Sequence, residues 1–247
     1  MTFCLGMKVQ EGLVGIADTL VTSGTECITA RKISIYQQEK FSMFLMTSGL
    51  RSVRDKVVTY FDDLMAEREE PFDRIFKAVN ALAGQVRQVS REDKEALDES
   101  GLDFNIHGLV GGQAERDNEH KLYLVYPQGN WVEISKGTPY QIIGAVGYGK
   151  PVLDRTLKYE DSMRNALKVG CLAFDSTRIS AADVDFPVDI ILYFRDSYRI
   201  IEHRNERDDL LEMTQWWQDR LRQSVNGLPS EWIESVFARH VPSGNLS

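Results

Sequence analysis

The sequence is poor in the features that mark many specialised proteins. Across 247 residues there are three cysteines, Cys4, Cys27 and Cys171, far apart and odd in number. That spacing argues against a disulfide framework and suits reduced core thiols. The four histidines, His107, His120, His203 and His240, show neither CxxC nor HExxH spacing, so no metal site and no cofactor are expected. No apolar run approaches the roughly 18 to 20 residues of a membrane helix. The start has no basic region followed by an apolar core, so no signal peptide is read and the cytoplasm is the expected compartment. Runs of Lys and Arg interleaved with aromatics are missing too, and 37 acidic against 29 basic residues leave a net charge of −8. Neither nucleic acid nor an anionic membrane is therefore expected as a partner. Tyr148-Gly149-Lys150 lacks the GxxxxGK[ST] spacing of a phosphate loop, and Pro151 follows it at once.

What is present is 43% apolar content, enough for a sizeable core in one domain. Short strand-like stretches come first: Phe3 to Val9, a turn at Gln10-Glu11-Gly12, Leu13 to Ala17, then a second hairpin from Lys32 to Tyr36 and Phe41 to Met46. After Gly49 the period changes. Leu50, Val53, Val57, Phe61, Leu64 and Met65 recur every three or four residues, and a second helix is expected from Pro71, with Phe72, Ile75, Val79, Leu82, Val86 and Val89 on its apolar face. Strand patterns return over 105–112, 121–126, 130–134 and 141–146, a second sheet's worth of hairpins, and helical ones over 151–159 and 161–174. Two more strands, 188–194 and 198–203, precede helical segments at 206–225 and 230–240. Strand runs alternating with helix pairs predict an α+β fold, two antiparallel sheets stacked between helical layers. One domain over 1–247 is expected, with an extended C-terminal helical region at about 206–240.

Several residues could carry chemistry. Thr2 follows Met1 and is small enough for the initiator to be removed, which would give one residue a hydroxyl nucleophile and an α-amine base with a pKa of about 7.7 to 8.0. A threonine at this position is also common in proteins of every kind. Asp18 ends the second strand and Lys32 opens the third, so both would lie beside the first strand if these strands are neighbours in one sheet. An ammonium next to a hydroxyl lowers the cost of an alkoxide, and a carboxylate behind it keeps it charged. Either residue alone reads as an ordinary surface charge. Gly49 stands where strand meets helix, either to relieve a tight turn or to present an N–H to an oxyanion. Asp175-Ser176-Thr177 follows an apolar helix, as a cap or as a second active-site carboxylate.

Thr2, Asp18, Lys32 and Gly49, in that order and at these spacings, resemble the β subunits of the proteasome. The opening Met1-Thr2-Phe3-Cys4-Leu5-Gly6, the run 148–155 and the run 173–178 are similar to the bacterial ancestral β subunits, the Anbu family, and the likeness spans nearly the whole chain. The resemblance implies a four-layer αββα sandwich, an N-terminal-nucleophile hydrolase, and a threonine-type peptidase in which Thr2 attacks, Lys32 and Asp18 support it, and Gly49 holds the oxyanion. Asp175 matches the later active-site aspartate of that family. The family's Gly-Ser-Gly-Ser motif would fall at 144–148, where no serine stands. Thr47 and Arg51 flank the glycine and are expected to line the pocket for the side chain preceding the cleaved bond, with tolerance of polar or acidic groups; Arg51 as a solvated helix residue is the plain alternative.

The resemblance also implies stacked assemblies, so self-association into a homo-oligomeric ring or open spiral is expected. The segment holding Leu210, Leu211, Met213, Trp216, Trp217 and Leu221 is too apolar for one stripe. An amidase acting on a small molecule, and a non-catalytic assembly protein retaining the fold, are the alternative functions.

Overall fold

The computed structural model describes residues 2–23 and 26–237. The chain divides into two compact units that meet in sequence between Asp209 and Leu210.

In the first unit, strands β1 (Phe3–Val9) and β2 (Gly12–Asp18) lead to a short hairpin, β3 (Leu20–Ser23) and β4 (Glu26–Thr29), then to β5 (Ile33–Gln38) and β6 (Phe41–Gly49). Helices α1 (Arg51–Ala66) and α2 (Ile75–Glu99) follow, then β7 (Ile106–Ala114), β8 (Lys121–Val125), β9 (Trp131–Glu133) and β10 (Tyr140–Gly144). Helices α3 (Lys150–Thr156) and α4 (Met163–Ser180) and strands β11 (Val188–Phe194) and β12 (Ile200–Asn205) complete it. Two five-stranded antiparallel sheets result, ordered β10-β1-β2-β11-β12 and β5-β6-β7-β8-β9.

Alternation assigns the faces. In β1, Cys4 packs among the side chains between the sheets, while Phe3 meets Phe174 of α4 at 6.0 Å between ring centroids. In β6, Phe44 and Met46 point to the other sheet, whereas Phe41, Met43 and Leu45 join the core under α1 and α2. Helix α1 covers that side with Val53, Val57, Phe61 and Met65, and α2 with Ile75, Val79, Leu82, Val86 and Val89. Burying each such side chain contributes roughly 1.5 to 3 kcal/mol before the entropy of ordering it. On the far side α4 comes close because Gly170 has no side chain: a Cβ there would stand 2.5 Å from Met7 Cε. The layers are thus α3/α4, sheet, sheet, α1/α2, the α+β sandwich expected.

Four local expectations are corrected. Lys32 does not open a strand beside β1: it precedes β5, in the sheet facing the one that Asp18 ends. Strand β10 pairs with β1 rather than extending the hairpins of β7 to β9. Helix α2 starts at Ile75, not Pro71, because the distant Asp117 carboxylate accepts the Ile75 N–H at 2.9 Å and supplies a cap that local sequence lacks. Asp175 is no cap, since α4 runs on to Ser180. The β3–β4 hairpin was not anticipated.

The second unit contains α5 (Leu211–Asn226) and α6 (Glu231–Phe237), in which no described residue is buried. Trp216 and Trp232 are exposed, Trp217 is half-buried, and the Arg220 guanidinium lies over the Trp216 ring. Residue His240 of the expected last helix lies outside the described residues.

Candidate active site

Thr2 leads into β1, the strand held between β10 and β2. Its backbone is fixed on both sides. On one, the Ala145 N–H donates to the Thr2 carbonyl at 2.7 Å. This closeness requires Gly144, whose φ is +91° and whose Cβ, if it had one, would lie 1.8 Å from the Thr2 oxygen. On the other, the Phe3 N–H donates to Asp18 Oδ1 at 2.8 Å.

The same Asp18 oxygen accepts from Lys32 Nζ at 2.7 Å, and neither side chain is exposed to solvent. Lys32 Nζ also donates to the Leu20 carbonyl at 2.6 Å. One carboxylate oxygen therefore ties the amide after Thr2 to an ammonium arriving from the opposite sheet. Burial pushes the Asp18 carboxyl above its ordinary value, while the charge and hydrogen bond of Lys32 and the Phe3 amide oppose it. Cys4, beside this group, is pushed up to about 12, chiefly by burial, and is an inert thiol at neutral pH.

Thr2 opens on a cavity of about 760 Å³, whose walls include Ser48, Gly49, Arg51, Arg54, Asn105, His107, Tyr126 and Gly144. Gly49 has φ +133°, and a Cβ would stand 2.2 Å from the Asn105 carbonyl oxygen, which accepts the Leu50 N–H at 2.9 Å. Backbone from two strands is thus packed too tightly at this turn for a side chain. Helix α1 starts here with no side-chain cap and no acidic residue in its first turn, and Gly49, Leu50 and Arg51 all line the cavity. Ser48 and His107 are directly opposite in the β6–β7 register, so both project from the same face. Burial lowers the His107 pKa and keeps its ring neutral at pH 7.

The structure brings Thr2, Gly49 and Arg51 to this cavity and sets the Asp18–Lys32 pair behind Thr2. Thr47 goes elsewhere: one residue before Ser48, it has the opposite parity and lines a smaller cavity of about 220 Å³ with Lys32, Arg54 and Asp55. Asp175 is buried in α4 and pairs with Arg178 at 2.7 Å. Met1 lies outside the described residues. Sequence reasoning missed Ser48 and Arg54. Parity from Phe44 and Met46 would have found Ser48, and the α1 period would have put Arg54 one turn after Arg51. Among the described residues no group of three His, Cys, Asp or Glu side chains could hold a metal ion, and no helix is long and apolar enough to cross a membrane.

No protein-family model matches the chain, and no curated protein matches it. Solved structures do. Anbu (ancestral beta-subunit) from Yersinia bercovieri matches at a TM-score of 0.84 and 27% identity, covering 92% of this chain and 97% of that one. Anbu from Pseudomonas aeruginosa, solved as a helical assembly, matches at 0.86 and 26% identity over 92% and 97%. Anbu from Hyphomicrobium sp. strain MC1 matches at 0.83 and 26% identity over 92% and 98%. The layers, the sheet order and these likenesses together show that the chain has the fold of Anbu, the ancestral β subunit, a proteasome-like N-terminal-nucleophile hydrolase fold.

Proposed function

We propose that the protein is a threonine-type peptidase whose nucleophile is the hydroxyl of Thr2, exposed by removal of Met1. The observation that carries this is the buried Lys32–Asp18 pair, bonded through Asp18 Oδ1 to the amide that follows Thr2. Burying two charges costs several kcal/mol each, and their attraction seldom repays more than that. A lysine and an aspartate held this way are weakly explained by stability and well explained by chemistry.

In this reading the α-amine of Thr2 takes the hydroxyl proton as Oγ1 attacks a peptide carbonyl carbon. Asp18 and Leu20 accept two of the three ammonium protons of Lys32, and the third stabilises the developing alkoxide. The Gly49 N–H, at the amino end of α1, stabilises the oxyanion. The protonated amine then gives its proton to the leaving amine, and water, deprotonated by the same amine, hydrolyses the ester and frees Thr2. Asp175 serves as the second carboxylate of the site. Ser48 supplies a hydroxyl where the family's relay serine is missing: it lines the same cavity as Thr2, and its Oγ lies 3.3 Å from where a Cβ on Gly144 would stand, the glycine that closes on the Thr2 backbone carbonyl.

We further propose one hydrolase domain acting in the cytoplasm and self-associating into a ring or spiral, by analogy with the helical assembly of the Pseudomonas protein. The exposed tryptophans of α5 and α6 are suited to such contacts. Labelling with a threonine-directed electrophile tests the chemistry. Wild type should take up one equivalent and Thr2→Ala none; equal uptake by both would remove Thr2 from the mechanism.

A further inference from the structure

Among the described residues the walls of the large cavity carry two arginines, Arg51 and Arg54, and not one acidic side chain. In a chain with 37 acidic residues against 29 basic ones that is a local inversion of charge. Arg54 is the more telling of the two. Its side chain is 11% exposed, against 53% for Arg51, and it lines both the large cavity and the small one behind it.

Both guanidinium groups share one carboxylate. Asp55 accepts from Arg54 Nε at 3.1 Å and Nη2 at 2.9 Å, and from Arg51 Nε at 3.3 Å. It is half exposed, lines the small cavity, and is not in the wall of the large one. Two positive charges against one leave a net positive charge facing Thr2. A guanidinium has five N–H donors, so Arg54 and Arg51 keep donors beyond those given to Asp55. A mostly buried arginine without a full counter-charge is costly, and an entering carboxylate, bound through two parallel N–H bonds, offsets that cost. The neutral His107 ring and the Tyr126 hydroxyl, at 6.3 Å between ring centroids on the same cavity, offer further donors.

We infer that the cavity selects substrates carrying a carboxylate, namely peptides with an acidic residue preceding the cleaved bond, and that Arg54 is the residue that reads it. The inference rests on the peptidase reading for the words "cleaved bond" but not for the binding. Thr47, the other pocket residue expected from sequence, has no part in it.

The test separates the two. Fluorescent peptide amides with Glu, Gln or Lys at the last position are titrated into full-length Thr2→Ala protein, and the matching peptide electrophiles are reacted with wild type. The Glu peptide should bind at least about tenfold more tightly than the Gln peptide, as a charge-assisted pair implies. The preference should weaken with added salt and fall below about twofold in Arg54→Met. Arg51→Gln should reduce it less, and Arg54→Lys should restore part of it. Circular dichroism melts verify that each variant is folded. Equal binding of the three peptides, tighter binding of the Lys peptide, or no measurable binding of any would overturn the inference. A Glu preference without any labelling of wild type would uphold the site and sink the nucleophile instead.

Discussion

Lys32 enters one sheet, Asp18 ends a strand of the other, and their side chains meet at 2.7 Å with neither reached by solvent. Each needs the other. Removing the ammonium leaves a buried carboxylate that, among the described residues, keeps the Phe3 amide as its hydrogen-bond donor and loses its paired cation.

Lys32→Ala should therefore lower the rate of labelling by a threonine-directed electrophile about 10²- to 10³-fold, the size expected when one preorganised charge is removed. It should also destabilise the fold by about 3 to 5 kcal/mol, as breaking a buried pair does. The double change Lys32→Met with Asp18→Leu should recover much of the stability and none of the labelling. Wild-type labelling rates in Lys32→Ala would show that another cation serves Thr2.

Gly144 is where β10 touches the backbone of Thr2, and a methyl group there would overlap the Thr2 carbonyl. Gly144→Ala should cost about 1 to 3 kcal/mol from its backbone conformation alone, and displace Thr2 besides. Urea titration and labelling should both report the change. Gly147→Ala is the control, because a Cβ there meets nothing within 4 Å.

His120, fully buried, donates its Nε2–H to the Val9 carbonyl at 2.7 Å. Burial, partly offset by that bond, lowers its pKa to about 4. The unfolded chain takes up the proton first, near the ordinary 6.5, so this residue costs no stability at pH 7 and progressively more as pH falls from about 6.5 towards 4. Unfolding free energy measured at pH 7 and pH 5 should drop more in wild type than in His120→Gln. Parallel pH profiles for the two would contradict the assignment.

Much of this was legible from local pattern, and the remainder was not for identifiable reasons. Strands β1, β2, β6 and β11 announce themselves because both of their faces are buried, and α1 because its stripe of Val53, Val57, Phe61 and Met65 is clean. Which sheet a strand joins is a tertiary fact. Lys32 and β10 look the same in sequence whichever sheet receives them. The start of α2 depends on Asp117, 42 residues from Ile75, and no window around Pro71 contains it. Arg54 reads as one more charge on a solvated helix until the β6–α1 turn aims it between two cavities. Strand parity separates Thr47 from Ser48 and gives the large cavity to Ser48.

The identity of the first residue bears most directly on the proposed chemistry. Intact-mass measurement of the purified protein, before and after reaction with a threonine-directed electrophile, should show a chain beginning at Thr2 that gains one adduct, with fragmentation placing the adduct on that residue. A chain that keeps Met1 would lack the α-amine beside the hydroxyl, and that result, or an adduct mapped to any other residue, would contradict Thr2 as the nucleophile.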